Sequence, residues 1–380
     1  MRVDFNVPLS KEGEIIDDSR LVAGLPSIQF ILSSGASLIL MSHLGRPKRG
    51  FEAHLTLAPV AKKLSELLQK PVIMASDCVG SSVKSQVAQL YPGEILLLEN
   101  LRFHMGEEEP ERDPNFVKEL AQFGDVYVND AFGSAHRAHA STALIAKYFP
   151  NKAAAGLLME KEIEKLSPLL EGAKRPFYAI LGGAKISSKV GVIHSLLKKV
   201  DALFLGGAMA FTFLKAQGIK VGESLVEDSE ISLAQELLSG SKPIYLPLDL
   251  VIADAFSEEA NQEEVIVSKG IAQGWRGMDI GSRTIQEWSL LLQKASTVFW
   301  NGPLGVFEIP CFAKGTEAIA RMLASSSAEV IIGGGDSVAA IQQAGLSSCF
   351  AHLSTGGGAS LEFLEFGHLP GIDALSSSRS

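Results

Sequence analysis

Four glycine-rich segments in the second half of the chain follow apolar, β-branched runs and could bind phosphate. They are "LGGAKISSK" (181–189), "LGGAMAFTFL" (205–214, with Gly206 and Gly207), "GGGDS" (333–337) and "STGGGAS" (354–360). Glycine after a buried strand lets backbone N–H groups approach an anion, and the start of the next helix adds partial positive charge. A tight turn is the simpler explanation for any one segment. The presence of four such segments in one half of the chain favours phosphate binding.

Charged residues beside these glycines indicate a nucleotide with magnesium. Lys185 and Lys189 lie four positions apart, which predicts that both lie on one helix face near a terminal phosphate, although surface lysines are the alternative. Asp336 is the predicted metal ligand, because Mg²⁺ prefers one or two carboxylates with phosphate oxygens and water. The alternative for Asp336 is an N-cap of a helix that begins at Ser337.

The segment "VFWNGPLGVFE" (298–308) adds Asn301 and Glu308 to this half. Glu308 could accept hydrogen bonds from a ribose hydroxyl pair, or it could be an ordinary loop acid. The sequence contains neither GxxxxGK[ST] nor GxGxxG, so the phosphate site is of neither the Walker A nor the classical dinucleotide type. The missing GxGxxG also disfavours an NAD-linked dehydrogenase.

The first half carries basic residues near strand ends, with polar residues among them. They are Asp4, Asn6, Arg20, His43, Arg46, Arg102, His136, Arg137 and His139. Converging guanidinium groups bind phosphate and carboxylate bidentately, so the set predicts a small, highly anionic substrate. His136 and His139 could instead bind a metal, but no cysteine is near and an arginine lies between them. The run of acids at 107–109 is most simply a solvated loop.

Alternating strand and helix patterns must position these residues. The apolar runs are continuous, as in strands buried on both faces of a parallel sheet, and amphipathic helical patterns separate them. This predicts an α/β fold with helices on both faces of mainly parallel sheets. In such sheets ligands bind at the carboxyl ends of the strands, where the candidate residues lie.

The length of 380 residues predicts two domains. Residues 1–152 are expected to form the domain for the anionic substrate, 153–172 a connecting helix, and 173–360 the nucleotide domain. The tail, 361–380, is expected to pack back on the first domain.

Composition narrows the class of protein. Apolar residues make up 46%, charged residues 20%, and the net charge is −9, which is typical of a globular protein without a nucleic-acid or anionic-lipid surface. No apolar run reaches the ~20 residues of a membrane span, and no signal peptide is recognisable, so we expect a cytoplasmic protein. The 3 cysteines lack zinc-site spacing.

The sequence resembles the phosphoglycerate kinase family, in order and over nearly the whole chain. The resemblance rests on "RVDFNVP", "MSHLGRP", "LLLENLRF", "NDAFGSAHRAH", "ILGGAKISSKV", "LGGAMAFTFL", "LPLDLVIAD", "GMDIG", "VFWNGPLGVFE", "IIGGGDS" and "LSTGGGAS". It implies two Rossmann-like domains with a cleft between them, a monomer, and transfer of the acyl phosphate of 1,3-bisphosphoglycerate to Mg-ADP, giving 3-phosphoglycerate and ATP.

The resemblance also assigns residues to sites by position. The implied phosphoglycerate site consists of Asp4, Asn6, Arg20, His43, Arg46, Arg102 and Arg137. The implied nucleotide and metal site consists of Lys185, Lys189, Gly206, Gly207, Gly277, Asn301, Glu308, Gly334, Gly335, Asp336 and Ser337. Arg20 and Lys185 are expected to clamp the migrating phosphoryl group, helped by amides near Gly334 and Gly357.

Members of the family usually carry a further N-terminal segment before "RVDFNVP". We expect that the start at Met1 is misassigned, which the intact mass of the natively expressed protein would test. The rival hypothesis is a catalytically impaired nucleotide-binding, phosphate-binding or surface interaction protein.

Overall fold

The chain divides into two compact units that each contain a sheet and helices. The computed structural model describes residues 1–48 and 50–377. One unit comprises Met1–Glu164 and His368–Ser380, and the other Lys165–Gly367. Within the described residues, no helix is long and apolar enough to cross a membrane.

The first unit is built from short parallel strands and helices. Its elements are α1 (Ser19–Ser33), β1 (Leu38–Leu40), α2 (Ala58–Leu68), β2 (Val72–Met74), α3 (Ser81–Ala88), β3 (Ile95–Leu97), α4 (Met105–Glu108), α5 (Pro114–Ala121), β4 (Tyr127–Asn129), β5 (Ala153–Ala155) and α14 (Pro370–Ser377). The strand orders are β1-β3-β2 and β4-β5, with every pair parallel. Arg2 makes parallel bridges to Met41 and Asn129, so residues 1–3 join the two groups of strands.

Helix α6 (Leu157–Leu170) connects the units along the chain, and the division between them falls inside it. The carboxylate of Asp130 accepts the N–H groups of Leu158 (2.9 Å) and Met159 (3.1 Å), which satisfies two of the free donors at the start of the helix. The helix is shorter than the expected 153–172, because Ala153–Ala155 pair with β4 as a strand.

The second unit has a larger parallel sheet. Its elements are β6 (Phe177–Leu181), α7 (Val190–Lys199), β7 (Ala202–Leu205), α8 (Met209–Ala216), α9 (Ile231–Leu238), β8 (Ile244–Tyr245), β9 (Asp249–Ala253), β10 (Gln262–Ile266), β11 (Arg276–Ile280), α10 (Ser282–Leu292), β12 (Thr297–Asn301), α11 (Lys314–Ala324), β13 (Glu329–Gly333), α12 (Gly335–Gln343), β14 (His352–Leu353) and α13 (Gly358–Phe366). The six-stranded sheet has the order β14-β13-β12-β6-β7-β8, with every pair parallel. This confirms the predicted α/β class with mainly parallel sheets.

A second, antiparallel sheet of order β10-β9-β11 was not predicted. Pro247 lies between β8 in the parallel sheet and β9 in the antiparallel sheet. Proline has no N–H to donate to a neighbouring strand, so it commonly ends a strand.

The unit boundary near the C-terminus differs from the expected one. Residues 361–367 belong to the second unit, where the carbonyl of Leu364 in α13 accepts the hydroxyl of Ser195 in α7 (2.7 Å). The part of the chain that returns to the first unit therefore begins at His368. Residues 378–380 of the expected tail lie outside the described residues.

An aromatic cluster lies in the core of the second unit. The ring of Phe204 is 4.8 Å from Tyr245, 5.3 Å from Trp288 and 5.7 Å from Tyr178, measured between ring centroids. Phe204 and Trp288 are buried, so these contacts fix the helix that carries Trp288 against the sheet.

We expect the variant Phe204→Ala to lower the free energy of unfolding of the second unit by about 3–5 kcal/mol, because it leaves a cavity in this cluster. All 3 tryptophans lie in this unit, so denaturant unfolding followed by tryptophan fluorescence reports on it alone. The control Phe256→Ala removes an exposed ring and is expected to cost less than about 0.5 kcal/mol. Equal effects of the two variants would contradict the prediction.

Candidate active site

A cavity of about 350 Å³ lies at the carboxyl ends of the parallel strands of the second unit. It is lined by Gly183, Ala184, Lys185, Ser188, Lys189, Asn301, Gly302, Gly334, Gly335, Asp336, Ser337, Gly357, Gly358 and Leu361. These residues follow four strands of the parallel sheet, β6, β12, β13 and β14. The glycine-rich segments 181–189, 333–337 and 354–360 therefore come together here.

Polar side chains brace the glycine turns of this cavity. Asn301 donates its amide to the carbonyl of Gly333 (2.8 Å). The hydroxyl of Ser337 donates to the same carbonyl (2.8 Å) and accepts the N–H of Gly302 (2.5 Å). Gly334 has φ +94°, and a Cβ atom there would lie 2.6 Å from the Asn301 amide nitrogen. The turn before α12 thus requires glycine, for its backbone conformation and for space.

Asp336 lies in the first turn of α12 and is exposed at the cavity. The N-cap of this helix is Gly334, and the helix begins at Gly335, so the alternative of Asp336 as an N-cap is wrong. Its carboxylate is consequently not used to satisfy the start of the helix.

The two lysines precede a helix instead of sharing its face. Helix α7 begins at Val190, so the prediction that Lys185 and Lys189 occupy one helix face is wrong. Lys189 donates its ammonium to the carbonyl of Gly182 (2.6 Å). Burial lowers the pKa of Lys189 to about 8, against the opposing effect of the Asp336 charge. Lys185 is exposed and lines the cavity.

A second cavity of about 420 Å³ adjoins the first, and both are lined by Gly183, Ala184 and Asp336. Its wall is mostly apolar and includes Phe211, Leu225, Pro247, Leu304 and Val306. Three further predicted residues, Gly207, Gly277 and the exposed Glu308, also line it. A side chain at Gly277 would collide with the ring of Phe211. Gly206 lines neither cavity, and a Cβ atom there would lie 2.5 Å from Cδ2 of Leu304.

The sequence analysis missed two polar residues of the larger cavity, Arg276 and Asp279. Asp279 is buried and accepts the N–H groups of Gly315 (2.7 Å) and Ile280 (2.8 Å), and burial raises its pKa to about 7. The Nε atom of Arg276 is buried without a hydrogen-bond partner among the described residues. The sequence feature that could have indicated Asp279 is the presence of an acid inside the apolar run "GMDIG".

In the first unit, Gly45 links two of the predicted substrate residues. The side-chain oxygen of Asn6 accepts the N–H of Gly45 (2.8 Å), and Arg102 donates to its carbonyl (2.8 Å). Arg20 donates to one carboxylate oxygen of Asp4 (2.6 Å), and the other oxygen is buried without a partner among the described residues. The loop at Gly45 and the start of the chain therefore form one polar surface.

His43 is held by a buried arginine that the sequence analysis missed. Arg2 is 1% exposed and donates to Nδ1 of His43 (2.9 Å) and to the hydroxyl of Ser141 (2.8 Å). Because a guanidinium is only a donor, Nδ1 accepts and the proton of the neutral ring lies on Nε2. Burial, with the charges of Arg2, Arg102 and Arg20, lowers the pKa of His43 well below its usual value.

Glu107 balances this buried positive charge, which contradicts the expectation of a solvated loop at 107–109. Its carboxylate accepts the hydroxyl (2.6 Å) and the N–H (3.0 Å) of Ser141, and its side chain is fully buried. Glu108 pairs with Arg102 (3.0 Å). Burial raises the pKa of Glu107, and the charge of Arg2 and the hydrogen bonds from Ser141 oppose this rise.

The remaining predicted residues lie at the edge of this cluster. Arg137 lies 3.9 Å from Glu108 and 3.1 Å from the His136 ring nitrogen, while Arg46 is exposed. His139 is mostly buried, and burial with the nearby arginines lowers its pKa to about 3. Within residues 1–48 and 50–377, His136 and His139 belong to no group of three potential metal ligands.

Comparison with known proteins identifies the family. The family model described as phosphoglycerate kinase matches residues 1–367. The chain belongs to this family. It is 52% identical to the phosphoglycerate kinase of Chlamydia caviae, covering 100% of this chain and 96% of the relative. It is 54% identical to that of Chlorobium phaeobacteroides, covering 99% and 96%. The solved phosphoglycerate kinase of Coxiella burnetii superposes with a TM-score of 0.87 at 40% identity, covering 100% of this chain and 96% of that one.

The raised pKa of Asp279 predicts a pH dependence of stability. The Asp279 carboxyl group ionises near pH 3.8 in the unfolded chain and near pH 7 in the folded chain. Because the folded state disfavours the charged form, the protein loses stability as the pH rises through this range. We compare the free energy of unfolding of the wild-type protein with that of Asp279→Asn. The wild-type value is expected to fall by up to about 4 kcal/mol relative to the variant between about pH 4 and 7, and the difference is expected to stay constant above about pH 7.

Tryptophan-monitored unfolding at several pH values measures this difference, with Asp254→Asn at an exposed carboxylate as the control. A difference between wild type and Asp279→Asn that does not change with pH would contradict the prediction.

Proposed function

We propose that this chain reversibly transfers the acyl phosphate of 1,3-bisphosphoglycerate to Mg-ADP, giving 3-phosphoglycerate and ATP. Membership of the phosphoglycerate kinase family supports this reaction. The observation that carries it is the strand-end cavity of the second unit, where glycine turns, Lys185 and Asp336 line one space.

We propose that the nucleotide occupies the two adjoining cavities of the second unit. The apolar cavity of about 420 Å³ suits a base and ribose, with Glu308 as the acceptor for ribose hydroxyls. The smaller cavity suits the phosphates, which the N–H groups near Gly334, Gly335 and Gly357 would bind. The positive end of α12 adds to this preference for anions.

The residues present fit a bound Mg²⁺. Asp336 is an exposed carboxylate on the wall of the smaller cavity, and one carboxylate with phosphate oxygens and water is a common magnesium ligand set. When bound, the ion would neutralise negative charge on the phosphates. Lys185 and Lys189 contribute positive charge from the protein itself.

We propose that the polar cluster of the first unit binds phosphoglycerate. Arg20, Arg46, Arg102 and Arg137 supply positive charge for the phosphate and the carboxyl group. The oxygen of Asp4 that Arg20 does not contact has no partner among the described residues, and it would accept a hydroxyl of the glycerate once the substrate displaces what covers it; Nε2 of His43 is a donor. Asn6 acts by holding the Gly45 loop.

The chemical step follows from these two sites. A terminal phosphate oxygen of ADP attacks the acyl phosphorus in line, the bond from phosphorus to the carboxyl oxygen breaks, and 3-phosphoglycerate leaves as a carboxylate. Reacting atoms must approach to about 3–3.5 Å, so both substrates must meet in the reactive complex. We propose that Arg20 and Lys185 contact the migrating phosphoryl group and stabilise its charge.

A catalytically impaired binding protein is not favoured, because the phosphoglycerate kinase family model matches residues 1–367 and full-length relatives of that name are 52–54% identical to this chain. A cytoplasmic location, a monomeric state and the lack of nucleic-acid partners stay predictions from the sequence.

Removal of the positive charge of either Arg20 or Lys185, the proposed clamp residues, is expected to lower turnover by a factor of about 10²–10³. This factor follows by analogy with the removal of a single transition-state hydrogen-bond donor. The variants are Lys185→Ala and Arg20→Ala. The assay is ATP-dependent phosphorylation of 3-phosphoglycerate with Mg²⁺, coupled to NADH oxidation. Exposed cations, Lys198→Ala and Arg112→Ala, are the matched controls.

Near-full turnover of Arg20→Ala or Lys185→Ala would refute the clamp assignment. A wild-type protein that binds ADP but does not turn over would instead refute the kinase reaction and favour a binding protein.

The variant Asp336→Asn is expected to weaken the dependence of ADP binding on Mg²⁺, because it removes the proposed carboxylate ligand. Isothermal titration with ADP should show at least about a tenfold smaller gain in affinity on adding Mg²⁺. Asp228→Asn, at an exposed acid paired with Lys215, is the control. An unchanged magnesium dependence in Asp336→Asn would overturn the assignment of the metal ligand.

A further inference from the structure

Three potential metal ligands, Asp77, Cys78 and His104, meet in the first unit, and none of them is among the residues assigned to phosphoglycerate. Their ligand atoms all lie within 4.8 Å of one another. Nε2 of His104 is 2.6 Å from the carboxylate of Asp77, and Sγ of Cys78 lies 2.9 Å from the carbonyl of Glu99. Among the described residues this is the sole such group of three.

The fold, and not a local motif, assembles this cluster. Asp77 and Cys78 lie in the loop between β2 and α3, whereas His104 lies 27 positions after Asp77, directly before α4. No Cys/His spacing in the sequence could indicate such a site.

We propose that Asp77, Cys78 and His104 form a binding site for a divalent transition-metal ion of the zinc class. A thiolate, an imidazole and a carboxylate are the donors that zinc prefers, and water would complete a four-coordinate site. The thiolate disfavours Mg²⁺ and Ca²⁺, which take oxygen ligands. The site is therefore chemically distinct from the magnesium site proposed at Asp336.

The imidazole is already oriented for binding. The His104 ring stacks on Phe116, with centroids 4.8 Å apart and 18° between the planes, and this contact limits its rotation. Its Nε2 atom points at Asp77. The Asp77 side chain is 51% exposed and that of His104 26%, so an ion can enter from solvent although Cys78 is buried.

Binding requires a small rearrangement of the cluster, in which the 2.6 Å contact between His104 and Asp77 opens and the longer separations shorten. Tetrahedral zinc with bonds of about 2.0–2.3 Å separates its ligand atoms by roughly 3.5 Å, compared with separations of up to 4.8 Å here. Rotation of the exposed Asp77 side chain can supply much of this change. The thiol proton leaves to solvent when the sulfur–metal bond forms, and the hydrogen bond to Glu99 is lost. Nε2 of His104 donates to Asp77 before binding, so its proton must pass to Nδ1 through solvent for Nε2 to bind the metal.

A bound ion would join two segments of the first unit. It would tie the loop at Asp77 to the segment 101–108, which contains Arg102 and its ion-pair partner Glu108. The expected consequence is a stiffer support for Arg102.

Titration of the full chain with Co²⁺ tests the proposal, because cobalt substitutes for zinc and its thiolate complexes have a charge-transfer band in the near ultraviolet. We expect this band to grow until one equivalent of Co²⁺ per chain has been added. Addition of Zn²⁺ should then abolish the band by displacing Co²⁺. Co²⁺ bound at Asp336 gives no thiolate band, so the result does not depend on the proposed kinase site.

The band is expected to be absent in Cys78→Ser and to require at least about tenfold more Co²⁺ in Asp77→Asn and His104→Gln. Cys311→Ser and Cys349→Ser keep the band, since these thiols are not in the cluster. His368→Gln is the matched histidine control, because His368 also pairs with an aspartate, Asp373, and belongs to no group of three potential metal ligands within the described residues.

The absence of a thiolate band in the wild-type protein would overturn the proposal, whatever the variants do. So would a band that persists unchanged in Asp77→Asn and His104→Gln, two side chains accessible enough for the variants to keep the fold. Either result would leave the cluster as a hydrogen-bonded group only.

Discussion

The packing of backbone against backbone in the turns after β6, β7 and β12 is the constraint on which the second unit's cavities depend. Gly182 donates its N–H to the carbonyl of Asn301 (2.8 Å), and Gly207 donates to that of Leu304 (3.0 Å). A Cβ at Gly207 would lie 2.5 Å from the nitrogen of Gly183. Only glycine permits this approach, which brings three strand ends to one place. The glycines are thus required for the close packing of these turns. The same lack of side chains leaves the backbone N–H groups accessible to an anion.

The structure of the first unit depends instead on how it buries charged side chains. Arg2 and Glu107 are both removed from water, and either alone would be costly in the interior. Ser141 accepts from one and donates to the other, while His43 accepts a second proton of the guanidinium. The same arrangement fixes the tautomer of His43. The proposed phosphoglycerate site of this unit therefore depends on a hydrogen-bonded network that is itself buried.

Local patterns in the sequence were sufficient for the sheet and for much of the cavity. Continuous apolar runs predicted β6, β7, β12 and β13, and the rule that ligands bind at carboxyl ends of strands placed Asn301 and Asp336 correctly at the cavity. The failures involve partners distant in sequence. The burial of Glu107 depends on Ser141, and that of Asp279 on Gly315, and neither partner is visible locally. The helix start after Lys189 was misplaced because boundaries are set by capping contacts as well as by periodicity.

The discontinuity of the first unit bears on the order in which the protein is made. Helix α14 belongs to this unit, and the N–H of Gly371 donates to the carbonyl of Ala135 (2.8 Å) across more than half of the chain. The second unit is one continuous segment, Lys165–Gly367. During vectorial synthesis on the ribosome, the first unit begins first but lacks α14 until almost the entire chain has emerged. The unit that starts last is consequently the one that can complete its fold first.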